Sequence, residues 1–231
     1  MMFRVIHYAQ EVKIPKLELT DKSKIYLCDK AINLAYLNIL TTGQSWYNSK
    51  GFISNEYNEE KANNLLVINK PFNELVDIIV NNLTNPGIDM PSIFTNLKQF
   101  KSIQPFIKVF IADMKELNKN LRDEPEELNK IKTEFRKLIN DAIPADNNST
   151  IQQVFQNIQR QFRSFPNSNC TPEQQQLIRI INIIITMLSH NSSYNWAPDF
   201  KINYNYSKLE YTVPLSGGKK NKTKKNKKRR Y

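Results

Sequence analysis

From Pro71 to His190 the apolar residues recur at helical spacing. Phe72, Leu75, Val76, Ile79 and Leu83 follow i, i+3, i+4 steps behind Pro71, a residue suited to the first position of a helix. The run NPGIDMPS breaks that pattern. Beyond it, helices are predicted over 91–101, 105–121, 124–142, 150–164 and 172–189. Two of them are announced by cap and proline signals, Asp123 with Pro125 and Thr171 with Pro172. The last is apolar on most sides, with Arg179, Asn182, Thr186 and Ser189 as a narrow polar stripe and Ile181, Ile184, Ile185 and Leu188 expected in the core. Such a pattern predicts the central helix of a bundle.

The two ends of the chain read differently. FRVIHY, VKIPKLEL and KIYLC are β-favouring runs, with Pro15 placing the second on a sheet edge. Asp29 is expected to cap a helix from Lys30 to Thr42, whose Ile32, Ala35, Tyr36, Ile39 and Leu40 share one face and whose stop is Gly43. A short helical piece restarts at Gln44 or Ser45 and ends at Gly51, after which FISNEY leads away extended. Both glycines suit the left-handed conformation of a helix terminus. After Trp196 the period changes to two, through Phe200, Ile202, Tyr204 and Tyr206 and then Leu209, Tyr211 and Val213. One or two strands are predicted there, pairing with the N-terminal strands. The resulting class is α+β and mainly helical: a small α/β unit over 1–70, a helical body over 71–190, an extended or strand segment over 191–215 and a disordered basic tail over 216–231.

Charge sharpens that division. Lys and Arg number 33 against 22 Asp and Glu in 231 residues, a formal net charge of +11. Nine of the cations are Lys219, Lys220, Lys222, Lys224, Lys225, Lys227, Lys228, Arg229 and Arg230, in a stretch with no acid; the remainder carries 24 against 22 and is nearly neutral. The abundance of Asn, Ile and Lys matches A/T-rich codon usage, which also explains N-x-[ST] matches such as Asn82, Asn148 and Asn191. No secretory leader is read in MMFRVIHYAQEVK, so these are not taken as glycosylation sites. Cys28 and Cys170 stand 142 positions apart without a partner motif, and reduced thiols in a cytosolic or nuclear protein are expected. LIRIINIIITMLSH is too short for a membrane span, so no membrane association is expected.

Few residues suggest bond-making chemistry. There is no P-loop, no G-x-S-x-G and no dinucleotide glycine pattern, so no cofactor is implied. His7 and His190 stand in no ligand spacing with either cysteine, and no metal site is expected. Glu124, Glu126, Glu127 and Glu134 read as acids that favour a helix N-terminus and a solvated face. The nine tail cations, spaced by Asn and Thr without aromatics to stack on bases, suit nonspecific, salt-sensitive binding of nucleic acid or another polyanion, and also resemble a nuclear-localisation signal.

Two resemblances extend this reading. WYNSKGF resembles the [FW]-Y-x-x-x-G-F signature of GNAT-type N-acetyltransferases, with Trp46, Tyr47, Gly51 and Phe52 in the matching places. That resemblance implies a catalytic role for Tyr47, as general acid toward a departing coenzyme A thiolate. The family's pyrophosphate-binding signature is missing, and only about 40 residues precede the tyrosine motif, so any acyltransferase here would be degenerate or incomplete. More broadly, LTTGQSWYNSKGFISNEYNEEKANN and the ending SGGKKNKTKKNKKRRY resemble uncharacterised proteins of giant viruses, the nucleocytoplasmic large DNA viruses. The resemblance implies a viral protein of the host cytoplasm, at the viral factory, or of the nucleus, or one packaged in the virion. The expected function is non-enzymatic, the tail engaging nucleic acid while the helical body binds an unknown protein partner or oligomerises; a structural virion component also fits.

Overall fold

The computed structural model describes residues 2–82, 125–194 and 197–214. The helices expected over 91–101 and 105–121, Trp196, and the basic tail lie outside the described residues. What is described is α+β and mainly helical. In chain order it comprises α1 (Met2–Glu11), β1 (Lys16–Leu19), β2 (Lys24–Leu27), β3 (Lys30–Asn33), α2 (Leu34–Thr42), a 3₁₀ turn (Asn48–Lys50), α3 (Tyr57–Ile68), α4 (Phe72–Asn82), α5 (Pro125–Ala142), α6 (Ile151–Phe162), α7 (Pro172–Tyr194), a second 3₁₀ turn (Pro198–Phe200) and β4 (Leu209–Thr212).

α7 is the axis. Ile178, Ile180, Ile181, Ile183, Ile184, Ile185, Met187 and Leu188 are all buried, so the helix is covered on nearly every side, as its pattern predicts. It packs against α5, β3 and α2. Each buried isoleucine contributes roughly 1.5–3 kcal/mol of transfer free energy, which makes this helix the densest source of core stability. α6 lies along α2 and buries Ile151, Val154, Phe155, Ile158 and Phe162. Its start is a capping box in which Thr150 and Gln153 satisfy each other's backbone amides. Gln152 and Gln156 each donate from Nε2 to the Thr41 carbonyl at 3.1 Å, satisfying an end of α2 that the helix cannot satisfy itself. One hydrophobic cluster runs from Leu27 to Ile202.

The glycines that end α2 and the first 3₁₀ turn are left-handed, at φ 80° for Gly43 and 89° for Gly51. Packing demands them too. A Cβ on Gly43 would come within 2.7 Å of the Leu65 side chain, and one on Gly51 within 3.1 Å of the Tyr211 ring.

The N-terminal region departs from expectation in three ways. FRVIHY lies in α1, not a strand: Ile6, Ala9 and Gln10 turn inward at helical spacing, and the β-branched residues lose to that amphipathic arrangement. Lys30–Asn33 is a strand, so α2 starts later and is capped by Asn33, whose Oδ1 accepts from Ala35 and Tyr36 N–H. Asp29 is instead a turn residue. β2 and β3 form a hairpin whose two loop residues, Cys28 and Asp29, both have positive φ (51° and 58°), the backbone sign of the tight turns that match strand twist.

Cysteine usage is the third departure. Cys28 and Cys170 form a disulfide, with Cα atoms 5.3 Å apart. Spacing in the chain hid this, because the fold brings the β2–β3 turn onto the α6–α7 connection. There Cys28 N–H donates to Pro166 O and Asp29 N–H to Asn167 O, at 3.3 and 2.8 Å. Left-handed backbone is costly at a cysteine, and these bonds together with the crosslink hold it.

At the other end β4 pairs antiparallel with β1, Leu17 opposite Tyr211 and Leu19 opposite Leu209, so the expected meeting of the two ends occurs. Ile53 adds a single bridge to Glu210.

Closing a 142-residue separation restricts the unfolded chain strongly, so reduction with dithiothreitol, or the double change Cys28→Ser and Cys170→Ser, is expected to cost about 2–5 kcal/mol. Urea unfolding of oxidised and reduced protein checks it; identical midpoints contradict a crosslink in the native chain.

Candidate functional site

The segment 200–206 alternates as a strand should, yet it is not a strand. Phe200 and Ile202 are buried, Tyr204 is half-buried and Tyr206 is exposed. No neighbouring strand supplies hydrogen bonds; the side chains of α3 do. Asn63 Nδ2 donates to Lys201 O at 2.7 Å. Asn64 donates from Nδ2 to Asn203 O and accepts at Oδ1 from Asn203 N–H, at 2.8 and 2.9 Å. Glu60 Oε1 accepts from Asn205 N–H at 3.0 Å. The backbone groups engaged belong to residues 201, 203 and 205, the alternate positions a partner strand would use. The opposite edge is held by Asp21 N–H on Tyr206 O and by Thr20 Oγ1 on Ser207 O, both at 2.9 Å.

A groove of about 970 Å³ opens beside this segment. Its walls come from the β1–β2 connection (Asp21, Ser23), from α3 (Glu56, Glu59, Glu60), from Tyr36 of α2 and from residues 201–206. Asp21 and Glu60 are both buried. The Asp21 carboxylate accepts from Ser23 N–H, Ser23 Oγ and the Tyr204 hydroxyl. Burial, then the bond to Asp21, pushes the Tyr204 phenol far above its ordinary range. Burial pushes Tyr36 up to about 12, with the nearby Tyr206 phenol adding to the shift. The rings of Tyr36 and Tyr204 meet edge to face at 6.2 Å, and those of Tyr204 and Tyr206 are tilted at 6.5 Å.

Reading of the sequence missed this groove. Its floor depends on a helix whose inward row, Glu60, Asn64, Val67 and Ile68, is half polar. The signal present in NEEKANN was an i, i+4 spacing of Glu60 and Asn64, which periodicity of apolar residues does not register.

Tyr47 lies elsewhere and does not line the groove. It is half-buried between Trp46 and Phe52, ring centroids 5.1 and 6.3 Å away, and Phe52 stacks on Tyr211 at 5.0 Å. Its carbonyl accepts from Lys50 and Phe52 N–H, closing the turn that Gly51 ends. Gly51 and Phe52 lead only into the one-residue bridge at Ile53, and the described strands form two pairs rather than the larger sheet that the acetyltransferase resemblance implies. Lys219, Lys220, Lys222, Lys224, Lys225, Lys227, Lys228, Arg229 and Arg230 lie outside the described residues, as does the side chain of His190. Among the described residues no three His, Cys, Asp or Glu side chains gather in a metal-binding group, and no helix is long and apolar enough to cross a membrane.

The raised tyrosines set a stability limit at high pH. A phenol whose folded value exceeds its unfolded value of about 10 contributes stability fully below pH 10, and that contribution is lost as pH rises through the folded value. Stability is therefore expected to fall between pH 10 and 12. Tyr36→Phe should leave stability at pH 7 nearly unchanged, since no hydrogen bond is lost, and should shallow the alkaline decline. Denaturant titrations at stepped pH, with phenolate absorbance followed in parallel, check this; an unaltered decline in Tyr36→Phe contradicts it.

No protein-family model, curated protein or solved structure matches this chain.

Proposed function

We propose that this is a non-enzymatic viral protein that binds nucleic acid or another polyanion nonspecifically through its basic tail, while its helical body serves protein interaction or oligomerisation. One observation carries the reading: nine cations and no acid follow Gly217, whereas the rest of the chain balances 24 basic residues against 22 acidic. Cations so segregated release counterions when they meet a phosphate backbone, giving affinities of roughly 10⁻⁴ to 10⁻⁶ M that fall steeply with salt. The tail contains no aromatic residue among its lysines and so reads no bases.

The layout of the body supports this division. β4 returns to β1, and Val213 is buried with its N–H on Pro15 O at 3.0 Å, three positions before the tail region begins. Of the candidate compartments, the viral factory, the nucleus and the virion, the disulfide favours packaging in the virion, since crosslinks persist on particle surfaces and are reduced in cytosol. A structural virion component is the second reading, favoured by that same bond.

Removal of the tail after Leu215 takes the formal charge from +11 to +2, because the nine cations go and no acid goes with them. Full-length protein is expected to bind unrelated DNA duplexes alike, with a log-affinity against log-salt slope of about −5 if five or six cations contact phosphates. The truncated form should lose that binding and keep its melting curve. Fluorescence anisotropy at several salt concentrations and a thermal melt decide the matter; equal DNA binding by the truncated form places the basic surface in the body instead.

A further inference from the structure

The groove beside 201–206 holds two buried carboxylates and no buried cation. Asp21 and Glu60 are each 6% exposed, and every partner they have is neutral: the Ser23 amide and hydroxyl and the Tyr204 hydroxyl for Asp21, the Asn205 amide for Glu60. Neither enters an ion pair among the described residues. Three lysines line the groove, Lys22 and Lys24 exposed and Lys201 half-buried, and none of them forms an ion pair with Asp21 or Glu60. Charges withdrawn from water without a counter-ion are costly, and the cost falls when a cation enters.

A second observation points the same way. Tyr36 is more than nine-tenths buried and lines the groove, and among the described residues its hydroxyl, which keeps contact with solvent, makes no hydrogen bond. Beside it the rings of Tyr204 and Tyr206 add two aromatic faces to the same wall. Carboxylates, an unused phenolic oxygen and several aromatic faces are what a carbon-bearing cation engages: charge, a hydrogen-bond acceptor and cation–π attraction. A bare metal ion would need a denser set of oxygens, and no such group of three occurs among the described residues.

We propose that this groove binds an alkylammonium group, with the Asp21 and Glu60 carboxylates supplying the charge, the Tyr36 hydroxyl accepting a hydrogen bond and the rings of Tyr204 and Tyr206 packing on its methylenes. The residues invoked here all belong to the body, and they give it a ligand opposite in charge to that proposed for the tail. An alkylammonium is carried both by a free amine and by a lysine side chain, and the two sources are separable by experiment.

The test uses full-length oxidised protein titrated calorimetrically with n-butylammonium chloride, against sodium chloride at equal concentration, and separately with a synthetic peptide of residues 217–231. Saturable binding of butylammonium or peptide, without a sodium response, is expected. Glu60→Gln keeps an acceptor for the Asn205 amide while removing the charge, and should weaken binding about tenfold or more. Tyr206→Ala alters an exposed ring that no part of the core needs, and should weaken it about two- to fivefold. Tighter binding of the peptide identifies a lysine as the ligand, and equal or tighter binding of butylammonium identifies a free amine. Failure of both probes to bind, a response that sodium reproduces, or affinities unchanged in both variants overturns the proposal. None of these outcomes bears on DNA binding by the tail, which the truncation measures independently.

Discussion

An extended segment with no partner strand must still satisfy its backbone, and in this protein one row of α3 side chains does so. Asn63, Asn64 and Glu60 engage residues 201, 203 and 205 in the places where a neighbouring strand would sit. Much follows from that substitution. The chain is brought back across the molecule, Phe200 and Ile202 enter the core, and β4 is delivered to β1. Because α3 offers side chains rather than a backbone edge, polar and acidic atoms must be buried there. Those buried acids give the groove its character.

The other half of the scaffold is apolar. α7 runs through the core with almost no solvent face, and β3, α2 and α5 pack on it. The disulfide fastens the β2–β3 turn to the connection that precedes α7, so the small hairpin and the helical core are held at a fixed approach. Asp21 is seven residues from that crosslink and Tyr36 lies on the helix that follows the hairpin. The groove wall is thus built on the best-anchored portion of the N-terminal region. Surface ion pairs contribute little beside this: Arg136 with Asp77, and Lys16 with Glu210, are partly exposed and in contact with water.

Elements that bury apolar stripes were legible in the sequence. α4, α6 and α7 follow from periodicity and caps, and both glycine stops fall where the spacing places them. The illegible parts share a physical cause: the decisive partner is remote or the decisive atoms are polar. α3 is invisible to apolar periodicity because Glu60 and Asn64 occupy its inward row while Leu66 faces solvent. Segment 200–206 carries a true period of two, but its partner is a helix. Cys28 and Asp29 look like a helix entry until Cys170 and the carbonyls of residues 166 and 167 arrive from far along the chain. Tyr47, singled out by resemblance, takes part in an aromatic cluster away from the groove.

The central claim is that α3 replaces a strand, and amide hydrogen exchange tests it residue by residue. The amides of Asn203 and Asn205, donors to Asn64 and Glu60, are expected to exchange slowly in the wild-type protein, as strand amides do. In Asn64→Ala the Asn203 amide should lose protection by at least tenfold, while the amides of α7 remain slow. Fast exchange at both positions in the wild type, or protection unchanged in Asn64→Ala, would contradict the account.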